Sequence, residues 1–512
     1  MNPSKTPFRI AVIGAGFGGI AAAFFLKRAG FSDIRIFDAA EGVGGTWWSN
    51  RYPGAATDAA SHIYSYSFAP HDWSRTHVGW RELQGYLEAV VDRFGLRPNL
   101  RLKTAVTSAV WQPDVERWLV TTDKGEAELY NAVVSAVGMF TRPKYPDWPG
   151  LDDFQGPVLH TAAWDPAVDL SGKHVAVVGT GSSAAQVVPA IAPAVSHLTL
   201  FQRQPGWLLP KRDRDFSTAE RALLSRSWLR RKLLRLKLYT AQEVREWRGA
   251  FFRPGARPNS EARDAALAYI DAVFADRADL KAAVTPDYPF AGKRAVMSSD
   301  FYPALKRANV TLVPKAVARA EADGLVDVDG VHRRFDAIVL ATGYAVTDYL
   351  VSLPTVGRHG RSLSDVWKGE PEAFLGVMVP GFPNFFMLYG PNTNGGFIVS
   401  NLERQARFAA GELRRLARRG ERTVEVSAEA SARYNAWLQA QMTGTAFVEG
   451  RNYFKTASGK IVTQWPDNAT AYAWKLWAAR RFGGWRLPTA SRRRGPATAV
   501  GDASAPPSNL RP

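Results

Sequence analysis

The sequence predicts an α/β protein made of two Rossmann-like dinucleotide-binding domains with a helical insertion. Two glycine-rich turns carry that expectation: Gly14-Ala15-Gly16-Phe17-Gly18-Gly19 and Gly179-Thr180-Gly181-Ser182-Ser183-Ala184. Each follows a short apolar run of strand type and opens a helix-like run, the order that a pyrophosphate site requires. The third observation is a helical, basic, Trp-containing stretch from about Lys211 to Pro286, which interrupts the second unit.

A chain of 512 residues, 46% apolar and 12% aromatic, is globular and exceeds what one hydrophobic core supports. The absence of cysteine excludes disulfides, thiolate metal sites and disulfide-reductase chemistry. No metal centre is expected, and a reducing, cytoplasmic location fits. No apolar run reaches the ~18–20 residues that span a bilayer, and no secretory signal is expected at Met1–Pro7. The net charge of +18 concentrates between Arg203 and Arg257 and after Arg480. Such charge attracts nucleic acid, anionic lipid or acidic substrates. The reading adopted is solvated arginine-rich helices plus a local need for phosphate binding, with no nucleic-acid partner. From Leu229 to Leu238 basic and apolar residues alternate at roughly helical spacing. A helix of this kind can rest on a membrane surface; the expectation ranked first is that its apolar face packs on the protein body.

Taken in order, Phe8–Ile13 is a buried parallel strand. Gly14, Gly16 and Gly19 then permit a tight turn, approach of the pyrophosphate and close strand–helix packing. The following helix directs its positive N-terminal end at the phosphates. A second strand, Asp33–Phe37, ends at Asp38, close to the ~20-residue offset expected for a carboxylate on ribose hydroxyls. A helix is predicted from Trp80 to Phe94, strands between Leu100 and Val120, and a closing strand at Val133–Gly138. Pro143, Pro146, Pro149 and Gly150 punctuate a linker. The second unit begins at His174–Gly179 and continues through Thr180, Gly181, Ser182 and Ser183. Its second strand, Leu198–Phe201, ends in Gln202-Arg203-Gln204-Pro205, without the acid found at Asp38. A carboxylate there would repel a 2′-phosphate, which arginine can grip bidentately. The first unit therefore suits FAD and the second NADPH. The expected boundaries are 1–145 and 335–485 for the FAD domain, and 151–210 and 287–334 for the NADPH domain. The insertion spans 211–286, and a disordered tail of Pro/Ala/Ser/Arg composition spans 486–512.

Between the two turns lies Phe154-Gln155-Gly156-Pro157-Val158-Leu159-His160-Thr161-Ala162-Ala163-Trp164-Asp165, read as a connector. Its pattern Phe-x-Gly-x-x-x-His-x-x-x-Trp, followed by Asp, resembles the signature of the type I Baeyer–Villiger monooxygenases. The resemblance extends to Gly44-Gly45-Thr46-Trp47, to Arg51-Tyr52-Pro53-Gly54 with Asp58, and to Ser65-Tyr66-Ser67-Phe68. It continues through Gly292-Lys293-Arg294, Ala341-Thr342-Gly343 and Asn452-Tyr453-Phe454-Lys455. It covers roughly Phe8 to Pro466 apart from the insertion, which in this family helps shape the substrate cavity.

The resemblance implies a monooxygenase that uses FAD, NADPH and O2 to convert a small-molecule ketone to an ester or lactone through a flavin C4a-peroxide. Gly45, Thr46, Trp47, Asp58 and Tyr64 would lie at the flavin and Val106 at the adenine. Lys293 would reach the 2′-phosphate, with Arg203 and Gln204 beside it. Arg294 would hold the anionic peroxide and the oxyanion of its adduct, because a guanidinium stays charged and offers forked donors; Asp58 would orient it. Taken alone, Lys293-Arg294 is also a solvated basic pair, and His160 reads equally as a satisfied linker histidine and as a contact between domains. Tyr453 stands where the family has tryptophan, which leaves that contact with NADP open. Oxygenation at nitrogen or sulfur, and uncoupled NADPH oxidation, are the alternatives carried forward.

Overall fold

The computed structural model describes residues 8–348, 353–450 and 452–487. Two five-stranded parallel sheets form its framework. The first runs in the order 385–387, 132–135, 10–13, 34–37, 100–101, and the second in the order 310–313, 197–201, 174–178, 337–340, 158–160. Each glycine turn leaves a strand that has neighbours on both sides, Ile10–Ile13 in one sheet and His174–Val178 in the other. Both strands are buried almost throughout, which explains their continuous apolar runs. An antiparallel meander (106–112, 117–122, 127–130, with 355–356 at its edge) and a three-stranded sheet (317–321, 324–327, 332–334) flank the two frameworks.

Gly19 shows why the first turn tolerates no side chain at that position. A Cβ there would lie 1.8 Å from the Gly14 carbonyl oxygen, which is fixed backbone. The helix Phe17–Ala29 therefore seats directly on its strand and is covered on its other side by the helix Ile398–Arg419.

The connector between the units has a larger role than joining them. Val158–His160 pairs in parallel with Ile338–Leu340 and forms the edge of the second sheet. Gly156 passes so near the Asp336 carbonyl oxygen that a Cβ would stand 2.4 Å from it. The His160 ring is buried, with Nδ1 accepting the Ala162 N–H at 3.0 Å and Nε2 lying 3.3 Å from Thr342 Oγ1. Burial lowers its pKa, so the ring is neutral and held in place.

The insertion consists of helices Thr218–Arg226, Trp228–Arg245, Arg257–Val273 and Ala278–Val284. Its two ends meet in a short parallel pair, Leu208–Leu209 with Val296–Met297, which returns the chain to the second unit. The expected packing of its leucines is met only in part: Leu238 packs against Ile63, Phe397 and Ala469 and Leu234 is half-buried, but the other three are not covered. Leu229, Leu233 and Leu236 are 52%, 55% and 56% exposed, whereas Arg235 points inward, donating to the His62 carbonyl and to Ser65 Oγ. Period alone marks an apolar stripe without saying which stripe faces the protein. Leaving about half of each leucine in water forgoes roughly 1 kcal/mol apiece. At the far end of the chain, Arg486 opens the segment expected to be a tail, yet its guanidinium grips Glu412 at 2.7–3.0 Å and the Leu487 N–H donates to the Glu425 carbonyl. The rest of that segment lies outside the described residues.

Two stability predictions follow from these contacts. Gly19→Ala is expected to lose more than about 4 kcal/mol, because backbone cannot yield to the new methyl; a wild-type unfolding midpoint in denaturant would contradict it. Glu246 is buried and its pKa is pushed by desolvation from 4.5 to about 7. Because the folded-state pKa lies above the unfolded one, the unfolded chain ionises first as pH rises through 4.5–7. Stability therefore falls across that window, by about 3 kcal/mol in all. Thermal melts at successive pH values should show the fall in the wild type and a much smaller one in Glu246→Gln.

Candidate functional site

A cavity of about 970 Å³ opens at the carboxyl ends of both sheets. Ile13, Phe37, Ala136 and Leu388 contribute from the first sheet's strand ends, and Ala341 and Arg203 from the second's. Parallel strands leave their crevice at this end, where the connecting loops diverge.

Most of the residues singled out in the sequence converge here. Gly14, Gly16, Asp38, Gly45, Thr46, Trp47, Asp58, Tyr64 and Val106 line one side; Gly181, Ser182, Ser183, Arg203, Lys293 and Arg294 line the other. Gly19, Gly179, Thr180 and Gln204 are not on the wall. Gly19 serves packing, as described, and Gly179 lies hard against the Ala341 carbonyl. Thr180 donates its hydroxyl to the Gln204 carbonyl at 3.0 Å, and the Gln204 amide oxygen accepts from Lys293 Nζ, so these two brace the wall from behind. Asp38 accepts from the Ala15 N–H at 2.6 Å and the Ala40 N–H at 2.8 Å, which fixes it beside the turn; burial raises its pKa.

Asp58 and Arg294 meet across the cavity. Arg294 Nη2 donates to Asp58 Oδ2 at 2.6 Å. The 41% of the arginine side chain that is accessible faces the cavity, since protein surrounds the group and the residue lines the wall. Asp58, foremost among its neighbours, raises the guanidinium's pKa, so it stays cationic at every working pH. Tyr64 accepts a hydrogen bond from Trp47 Nε1 at 3.2 Å, and burial pushes its phenol up to about 12, so it remains protonated. Tyr389, also on the wall, donates to Asn394 Oδ1 at 2.8 Å.

The second half of the cavity is electropositive. Burial, then the nearby Arg203, holds the Lys293 ammonium below its ordinary pKa. Two cations so placed, with no acid at the end of the second strand, favour a multiply charged anion. Ser182 and Ser183 open the helix Ser182–Ile191, whose N-terminus adds free N–H groups and a positive dipole end. A Cβ at Gly181 would meet nothing within 4 Å, so the backbone there leaves room for a phosphate group to approach.

Several wall residues went unassigned in the sequence. Tyr52 donates to Gln186 Oε1 at 2.8 Å, and Gln186 Nε2 donates to the Ala56 carbonyl at 2.9 Å, clasping the two units together. Tyr344 donates to Asn50 Oδ1 at 2.8 Å. Asn452 donates to the Gly292 carbonyl at 3.0 Å and so pins the loop that carries Lys293 and Arg294. Tyr52 and Asn452 lay inside stretches already read as motifs, Tyr344 directly follows Ala341-Thr342-Gly343, and Gln186 follows Ser183 by one helical turn, which was the available signal.

The sequence profile of the flavin-binding monooxygenase-like family matches residues 7–245. A Baeyer–Villiger monooxygenase of Streptomyces coelicolor is 41% identical over 470 residues, covering 91% of this chain and 90% of that protein. A Baeyer–Villiger monooxygenase of Pseudomonas aeruginosa is 38% identical, covering 92% of this chain and 89% of that protein. Among solved structures, NADP+-bound cyclohexanone monooxygenase from Rhodococcus sp. Phi1 superposes with a TM-score of 0.83 at 30% identity, over 93% of this chain and 98% of that one.

Proposed function

The chain belongs to the Baeyer–Villiger monooxygenases, flavoenzymes that use NADPH and O2 to convert ketones to esters or lactones, and on that premise we propose that the Asp58–Arg294 pair is its oxyanion-stabilising centre. One observation carries the reading: a permanently charged guanidinium, fixed by a 2.6 Å bond to a carboxylate from the other unit, faces the cavity at the ends of both sheets.

In this reading Gly14, Gly16, Asp38, Gly45, Thr46, Trp47, Tyr64 and Val106 hold FAD. Gly181, Ser182, Ser183, Arg203 and Lys293 hold NADPH, with Gly19, Gly179, Thr180 and Gln204 supporting the two turns. The domain division follows the sheets: 1–145 with 335–485 for FAD, and 151–210 with 287–334 for NADPH, interrupted by the insertion at 211–286. When bound, FAD supplies the redox chemistry, taking the hydride of NADPH and activating O2. The chain's own residues do the rest. Arg294 stabilises the negative charge that develops on the ketone oxygen as its carbonyl carbon is attacked; it offers donors without giving up a proton. Asp58 sets the direction of that guanidinium and balances its charge. Tyr64 and Tyr389, both protonated, line the cavity beside that pair and bring no further charge to it. The absence of cysteine fits a cytoplasmic enzyme.

Arg294→Ala is expected to cut ester formation by about 10²–10³-fold or more while leaving NADPH-driven FAD reduction nearly intact. Product mass spectrometry and anaerobic stopped-flow reduction separate the two, and ester formation at the wild-type rate would remove the proposal. Arg203→Ala with Lys293→Ala is expected to raise KM for NADPH about a hundredfold with little change for NADH, since charged hydrogen bonds to the 2′-phosphate are lost. An unchanged ratio of the two KM values would count against that assignment.

A further inference from the structure

The helix Trp228–Arg245 is an outward-facing amphipathic element. Its inner face is fastened: Arg235 reaches His62 and Ser65, Leu238 and Tyr239 pack with Ile63, Phe397 and Ala469, and the Glu243 carboxylate accepts the Ala469 and Thr470 N–H groups at 3.0 and 2.9 Å. Along the first half of the helix Leu229, Leu233 and Leu236, spaced i, i+4 and i+7, face solvent, as does Val244 near its end. Such spacing places them on one stripe. Contiguous exposed apolar surface of this kind marks an interaction site.

Charge selects the partner. Arg226, Arg230, Lys232 and Lys237 flank the stripe and are exposed. Between Arg226 and Arg248, all of them described residues, the acids are Glu243 and Glu246, and both are buried. The charge this face presents to its surroundings is therefore positive. A second copy of the chain docking symmetrically would bring the same cations against one another. A nucleic acid would use the cations and leave the leucines in water. An anionic phospholipid surface satisfies both: apolar side chains enter the headgroup–acyl boundary while Lys and Arg remain at the phosphates. No helix among the described residues is long and apolar enough to cross a membrane, so the association is peripheral. The neighbouring helix Ala469–Phe482 repeats the composition with exposed Trp474, Trp477 and Phe482 beside Arg480 and Arg481.

We propose that the helix Trp228–Arg245 docks the enzyme onto an anionic phospholipid surface through Leu229, Leu233 and Leu236, with Arg230, Lys232 and Lys237 at the headgroups. The helix rests on the segment that carries Tyr64, so docking sets one wall of the cavity beside a phase in which apolar ketones concentrate.

The test is co-sedimentation of the full-length, FAD-loaded enzyme with vesicles of equimolar phosphatidylglycerol and phosphatidylcholine, against phosphatidylcholine alone. Binding is expected for the anionic vesicles only. Each cation near the surface contributes about a fivefold gain in affinity, so Arg230→Gln/Lys232→Gln/Lys237→Gln should lose about a hundredfold. Leu229→Ser/Leu233→Ser/Leu236→Ser should lose at least about tenfold. Ketone turnover without vesicles should be unchanged in both, because none of these residues lines the cavity. Equal sedimentation with both vesicle types overturns the proposal. So does full vesicle binding by the leucine variant, or binding to duplex DNA that the leucine variant retains, either of which leaves charge alone at work. A solution dimer that the leucine variant dissociates in analytical ultracentrifugation would assign the stripe to a second copy instead.

Discussion

The ion pair between Asp58 and Arg294 is the constraint on which the architecture turns. Its partners are 236 residues apart in the chain, one following the first glycine turn and the other following the insertion. A guanidinium that must remain charged inside protein needs a carboxylate, and a carboxylate left alone there would be costly. The pair therefore fixes the distance between the two nucleotide units as well as the direction of the cation. The geometry of the cavity and that of the two units become one requirement, because moving either unit breaks the charge balance of the pair.

Supporting contacts share that burden. Tyr52 and Gln186 clasp loop to helix, Tyr344 reaches back to Asn50, and His160 sits neutral in the edge strand of the second sheet. The signature stretch is accounted for by packing: Gly156 where backbone meets backbone, His160 where a ring must accept a backbone N–H, and Trp164 against the second core. Tyr52, Gln186 and Tyr344 hold the seam across which the ion pair forms, while Gly156, His160 and Trp164 hold the second unit together behind it. The insertion adds to the same arrangement, returning the chain through the Leu208–Val296 pairing so that Lys293 and Arg294 arrive at the cavity wall.

The sequence determined whatever rests on local chemistry. A strand, a glycine turn and a helix in succession make a phosphate cradle wherever they fold, and the second strand of each unit leads to a residue of opposite charge, Asp38 in one and Arg203 in the other. The tertiary structure decided what distance along the chain conceals from local chemistry: that Asn452 pins Gly292 and that the connector becomes a strand, while the contact of Asp58 with Arg294, which the family resemblance implied, acquires its 2.6 Å geometry only there. It also decided which way the helix Trp228–Arg245 faces. Periodicity gives a helix an apolar stripe; only the shape and charge of what lies beneath it decide which side chains turn inward, and here Arg235 found carbonyl and hydroxyl oxygens and Leu238 found apolar neighbours, while Leu229, Leu233 and Leu236 stayed at the surface.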